Sequence, residues 1–174
     1  MSHRVTFWGV RGSIPTPGPG TARYGGNTPC LSVTNGDSGL LILDAGSGLR
    51  GLGHELMRSP PERPLRAQLL LTHTHWDHIQ GLPFFKPLSA KGNEVRIFGA
   101  AQEGVPLEDI LGRQMDPMVF PVPLRALAAR IEVTEVSPGR FEVEGFEVDA
   151  VRLRHPGTTL GYILRPLRGG RSLA

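Results

Sequence analysis

The chain has 174 residues, 19 basic against 16 acidic, for a formal net charge of +3. That length supports one domain and buries about 70% of the surface its unfolded form exposes, so no disulfide framework is needed; with Cys30 alone, an internal disulfide and a thiol-only zinc site are both excluded. Apolar residues at 39% with 23 Gly and 16 Pro describe a loop-rich globular protein, neither disordered nor membrane-spanning, and an N-terminus without an apolar signal core sets a cytoplasmic expectation.

Along the chain, Val5 to Val10 reads as a strand running into a Pro/Gly-rich loop from Arg11 to Gly20. Leu31 to Val33 and Leu40 to Leu43 read as strands joined at Asn35-Gly36-Asp37, a sequence suited to a tight hairpin turn. After Asp44-Ala45-Gly46-Ser47-Gly48, the spacing of Leu49, Leu52 and Leu56 predicts a helix that Pro60, Pro61 and Pro64 stop. Leu69-Leu70-Leu71 has the continuous apolar pattern of a strand buried on both faces, and it leads into a polar loop from Thr72 to Gln80. Val95 to Phe98 is a further strand. Pro106 to Met115 and Pro123 to Arg130 are expected helices with Pro in the first turn. Ile131 to Val136, Phe141 to Val143 and Phe146 to Leu153 alternate apolar and charged residues, as strands with one wet face do.

Of six histidines, three fall in His73-Thr74-His75-Trp76-Asp77-His78. Three His and one Asp at fixed offsets have a chance expectation of about two in ten thousand in a chain of this composition. Residues two apart on an extended segment face the same side, so His73 and His75 can present two imidazoles to one ion, with Asp77 and His78 turned towards a second. Imidazole and carboxylate suit Zn²⁺, and also Mn²⁺ or Fe²⁺. Ions so held activate water for attack on a carbonyl or phosphoryl centre, so hydrolysis is the implied reaction. His3 and His54 are expected to be structural or exposed. Seventeen of the 19 basic residues are Arg, scattered singly rather than in a run, so nucleic-acid binding, RNA included, is only weakly supported by charge.

The stretch from Leu70 to Pro83 resembles the signature of the metallo-β-lactamase superfamily, in the branch that contains tRNase Z and phosphodiesterases. Phe7 to Ser13, Tyr24 to Thr28 and Leu43 to Gly48 are similar to that branch's first strand and loop and to its Asp-containing turn. The resemblance implies an α/β (α+β) fold, an αβ/βα sandwich of two mixed sheets with helices outside. It implies His73, His75 and His155 as ligands of one ion, and Asp77 and His78 as ligands of the second, with Asp77 also the expected catalytic carboxylate. Asp44 is expected to orient a ligand imidazole. The substrate implied is a small-molecule or nucleotide phosphoester, for which Arg11 and Arg154 are candidate contacts and Pro117 to Pro123, with Phe120, a candidate pocket wall.

The family pattern also calls for a bridging Asp and a final His, and after His155 this chain holds no Asp, Glu or His. The expectation is therefore a single domain over residues 1–174 that is the N-terminal portion of a longer design. One tightly held ion, a weak second position, and exposed apolar edges that favour a homo-oligomer follow from it. An inert remnant or interaction module of the same fold is the alternative.

Overall fold

The computed structural model describes residues 3–35, 38–58, 63–143 and 145–174. Among the described residues, nine strands form two sheets. The first has six strands in sequence order: β1 (Arg4–Gly9), β2 (Cys30–Asn35), β3 (Ser38–Leu43), β4 (Arg66–Leu70), β5 (Glu94–Gly99) and β6 (Arg130–Glu135). β1 to β3 pair antiparallel, and β3 to β6 are parallel. The second is an antiparallel meander of β7 (Gly139–Val143), β8 (Phe146–Arg152) and β9 (Leu160–Pro166). Parallel neighbours need crossover connections, and these carry α1 (Gly48–Arg58), α2 (Trp76–Ile79) and α3 (Leu107–Arg113).

The two-residue period of the strands sorts their side chains into two cores. Leu40, Ile42, Ala67, Leu69, Val95 and Ile97 face the helices and pack with Leu49, Leu52, Leu107 and Leu111. Leu41, Leu70 and Phe98 point the other way and meet Val143, Phe146, Val148, Leu160 and Leu164 of the second sheet. β4 is buried on both faces from Ala67 to Leu70, so its apolar residues do not alternate with exposed polar ones, and even Gln68 is buried. β6 closes the first sheet with no fully buried residue and with Arg130, Glu132 and Glu135 on it, a charged edge that discourages further pairing.

Several elements differ from the sequence expectation. Residues 123–130 form no helix: only Leu124–Ala126 make a 3-10 turn, and Arg130 opens β6. The Ala-rich composition favours a helix, but Ala129 N–H donates to Leu88 O and Arg130 N–H to Asn93 O, and this draws the segment out as an extended lead into the sheet. The loop from Thr72 to Gln80 contains the one-turn helix α2, too short to leave a periodic signal. α3 is shorter at both ends than Pro106 to Met115, with Pro106 just outside it. The second sheet is antiparallel throughout, because β7 to β9 follow one another through short connections. Gly36, Asp37, Pro60 and Pro61, expected to turn the first hairpin and to stop α1, lie outside the described residues. Among the described residues, no helix is long and apolar enough to cross a membrane.

Candidate metal centre

The centre sits at the C-terminal end of β4, where parallel strands leave room between the sheet and its following loops. His73, His75, Asp77 and His78 all come from the segment between β4 and the end of α2, and His155 comes from the connection between β8 and β9. One ligand nitrogen from each of His73, His75 and His155 lies within 4.8 Å of the other two. His155 Nε2 is 3.2 Å from His75 Nδ1. Two nitrogens on a tetrahedral zinc with bonds of about 2.0–2.1 Å lie about 3.3–3.4 Å apart, so this pair already has the spacing of a shared ion. His73 Nδ1 is taken up by Thr72 Oγ1 at 3.0 Å, which leaves its Nε2 for coordination. The donor set fits a divalent ion of the zinc type.

Asp77 and His78 lie beside this triad, at the first turn of α2. His78 Nε2 is 3.5 Å from Asp77 Oδ2, and the His78 and His73 rings are 4.2 Å apart. Asp77 Oδ2 also accepts a hydrogen bond from Ser13 N–H at 2.8 Å, so the Pro/Gly loop after β1 is anchored on the centre. Asp77 and His78 thus lie next to the three imidazoles without joining the group whose ligand atoms converge.

Asp44 is buried under both. It follows β3, adopts φ 60°, and its Oδ2 accepts from His78 Nδ1 at 2.9 Å. Its Oδ1 accepts from Thr72 N–H at 2.8 Å, and Thr72 Oγ1 is 3.0 Å from each carboxylate oxygen. The titration of the cluster follows from this geometry. Burial, then the charges of His78, His75 and His155, pull His73 down to about 4, so it is neutral at pH 7 and free to ligate. Burial also acts to lower His78, but the Asp44 hydrogen bond and charge, with Asp77, outweigh it and leave its pKa raised.

Residues without an obvious sequence signal hold this arrangement. Thr72 links Asp44 to the histidines. Gln102 grips the His155 loop through both ends of its amide: its Nε2 donates to Thr158 O, and its Oε1 accepts from Thr158 N–H, each at 2.8 Å. Gly157 has φ 74°, and a Cβ there would lie 2.8 Å from Gln102 Oε1. Tyr162 Oη donates to Leu71 O, tying β9 to the end of β4. Thr28 and Ser47 exchange two hydrogen bonds that join the first loop to the turn after Asp44. A threonine between Leu71 and His73 and a glutamine in a loop carry no pattern of their own; only the spatial neighbours give them a role. Of the remaining histidines, His54 is exposed on α1, and His3 packs against Phe146 with ring centres 5.4 Å apart. Phe120 meets Phe84 edge-on at 5.6 Å.

Residues 40–174 match the family model described as a beta-lactamase superfamily domain. The chain belongs to that family. Among curated proteins it is 28% identical to a ribonuclease Z of Haloferax volcanii, over 100% of this chain and 51% of that protein. It is 26% identical to a ribonuclease Z of Prochlorococcus marinus over 91% of this chain and 48% of that protein, and 26% identical to a ribonuclease BN of Erwinia tasmaniensis over 70% and 37%. The chain thus spans about half the length of the curated relatives it matches. Among solved structures, a diphosphatase from the PhnP family superposes with a TM-score of 0.64 at 20% identity, covering 94% of this chain and 63% of that one. The metallo-beta-lactamase fold protein YhfI from Bacillus subtilis gives the same score and identity over 99% and 61%. These likenesses establish the metallo-β-lactamase fold.

Proposed function

We propose that this chain carries the metal-binding centre of a metal-dependent hydrolase that cleaves phosphodiesters. The observation that carries the reading is the convergence of His73 and His75 with His155, which lies 80 residues beyond His75 in sequence, with ligand nitrogens within 4.8 Å of one another. In this reading those three hold one zinc, Mn²⁺ or Fe²⁺ ion, and Asp77 and His78 hold a second more weakly. A divalent ion there supplies Lewis acidity, lowering the pKa of water and offsetting charge that develops on a phosphoryl centre. The chain's own residues do the rest. His73 stays neutral and presents its Nε2, Asp44 keeps the His78 ring in place, and Ser13 N–H holds the Asp77 carboxylate. Arg11 and Arg154 flank the same loops as candidate phosphate contacts. The ribonuclease Z and BN relatives favour a nucleic-acid phosphodiester over a smaller one. Turnover of bis-p-nitrophenyl phosphate with zinc or manganese, lost in His75→Ala, supports the reading, and no turnover at full metal loading counts against it.

A second reading, a metal-binding module of the same fold without full activity, draws on one feature. The position beside Asp77 and His78 has two donors from this chain, fewer than a catalytic zinc normally uses. Metal bound at one ion per chain without hydrolysis would favour it.

A further inference from the structure

The hydroxyl of Thr72 occupies the centre of the polar cluster beneath the ligands. Its Oγ1 lies 3.0 Å from Asp44 Oδ1, 3.0 Å from Asp44 Oδ2, 3.0 Å from His73 Nδ1 and 3.4 Å from His78 Nδ1. A hydroxyl has one proton and a carboxylate only accepts. If that proton went to His73, two oxygen lone-pair contacts at 3.0 Å would face Asp44 unrelieved. It goes to Asp44. The Thr72 oxygen is then an acceptor, and among the described residues the partner placed to donate to it at 3.0 Å is His73, through an Nδ1–H. The same logic applies to His78, whose Nδ1 faces Asp44 Oδ2 directly at 2.9 Å and must carry a proton.

We propose that Thr72 is a positioning residue that relays Asp44 to His73, so that one buried carboxylate sets the tautomers of two imidazoles, His78 directly and His73 through the threonine hydroxyl. Both rings are thereby fixed with Nδ1 protonated and the Nε2 lone pair free. For His73 that lone pair belongs to the three-imidazole position, and for His78 it faces Asp77 Oδ2 at 3.5 Å. His75 is the exception within the triad, because it offers Nδ1 beside His155 Nε2, and it has no bond to Thr72 or Asp44. The two histidines governed by Asp44 are the half-buried and buried ones, where a wrong tautomer cannot be corrected by water. The backbone contributes to the same fixation: Thr72 N–H donates to Asp44 Oδ1, and Thr72 O accepts from Leu160 N–H at 2.8 Å. Thr72 is held at main chain and side chain, so its hydroxyl has little freedom to turn.

The proposal rests on His73 being a metal ligand, and its test separates the two claims. The ring ¹⁵N shifts of His73 are measured in metal-free protein near pH 7.5, assigned by their loss in His73→Gln, and zinc affinity is measured by chelator competition. The expected result is a protonated Nδ1 and a bare Nε2 in the unsubstituted protein. Thr72→Val, which keeps the shape and removes the hydroxyl, loses that preference and weakens zinc binding about 10- to 100-fold. Thr72→Ser restores both. A proton on Nε2 in the unsubstituted protein, or His73 shifts that do not move in Thr72→Val, would overturn the relay. If the shifts respond to Thr72→Val while His73→Gln binds zinc as tightly as the unsubstituted protein, the relay stands and the metal assignment fails.

Discussion

Asp44 holds the left-handed backbone at φ 60° because two sets of bonds leave it no alternative: its N–H donates to Leu70 O, and its carboxylate collects Thr72 and His78. Aspartate tolerates this conformation better than most side chains, and such a residue persists when its surroundings over-determine it. His73 shows the electrostatic side of the same cluster. Its imidazole stays neutral down to about 4, whereas in the unfolded chain it titrates near 6.5. Between those values the unfolded chain binds a proton that the folded one does not, so the His73 contribution to stability is present above pH 6.5 and is lost as pH falls towards 4. His78 acts in the opposite sense. Its raised pKa adds stability below 6.5 that fades as pH rises through the folded value, which partly offsets His73 at acid pH. Thermal melts of metal-free protein should therefore fall from pH 6.5 to 4, and His73→Gln should flatten that fall. An unchanged slope in His73→Gln would mean that His73 does not carry the acid sensitivity.

At the level of elements, the centre depends on how α2 and the β8–β9 connection are seated. Gly81, just after α2, leaves its backbone against the turn that follows Asp44. A Cβ there would lie 2.0 Å from Gly46 O, and one at Gly46 would lie 2.4 Å from Asp77 O. Gly81→Ala must push α2 away from that turn, and it should destabilise the protein by about 3 kcal/mol, read by urea unfolding; a change below about 0.5 kcal/mol would show that the two backbones are not in this contact. The His155 loop is held by Gln102. Gln102→Ala removes both amide bonds to Thr158 and should weaken zinc about 10-fold, with faster hydrogen exchange at the Thr158 amide and little effect on exchange in β4. Equal zinc affinity in Gln102→Ala would show that His155 is placed without it.

Much of this fold is legible in the order of the residues, and particular elements show where legibility ends. β4 announces itself through the apolar run Leu69-Leu70-Leu71 at its end, where both faces are buried, and β7 and β8 because one wet face demands alternation. The segment 123–130 misleads because its helical composition is overruled by hydrogen bonds to Leu88 and Asn93, residues more than 35 positions upstream. At the centre, His73, His75, Asp77 and His78 form a dense local pattern. His155 is brought to them by the pairing of β8 with β9, and it enters the sequence reading only through family resemblance. Thr72 and Gln102 take their importance from three-dimensional neighbours alone.

For the molecule as a whole, the proposal is that His73, His75 and His155 hold one ion tightly, with a weaker position at Asp77 and His78. The most direct measurement is metal content per chain, by elemental analysis of protein purified without chelator, with oligomeric mass determined on the same sample. About one tightly held ion per chain is expected, absent from His75→Ala and from His155→Ala, with any second ion removed by dilution or mild chelation. No retained ion, or one that survives both substitutions, would contradict it; two ions held with equal tenacity would mean that Asp77 and His78 have partners beyond those placed beside them here.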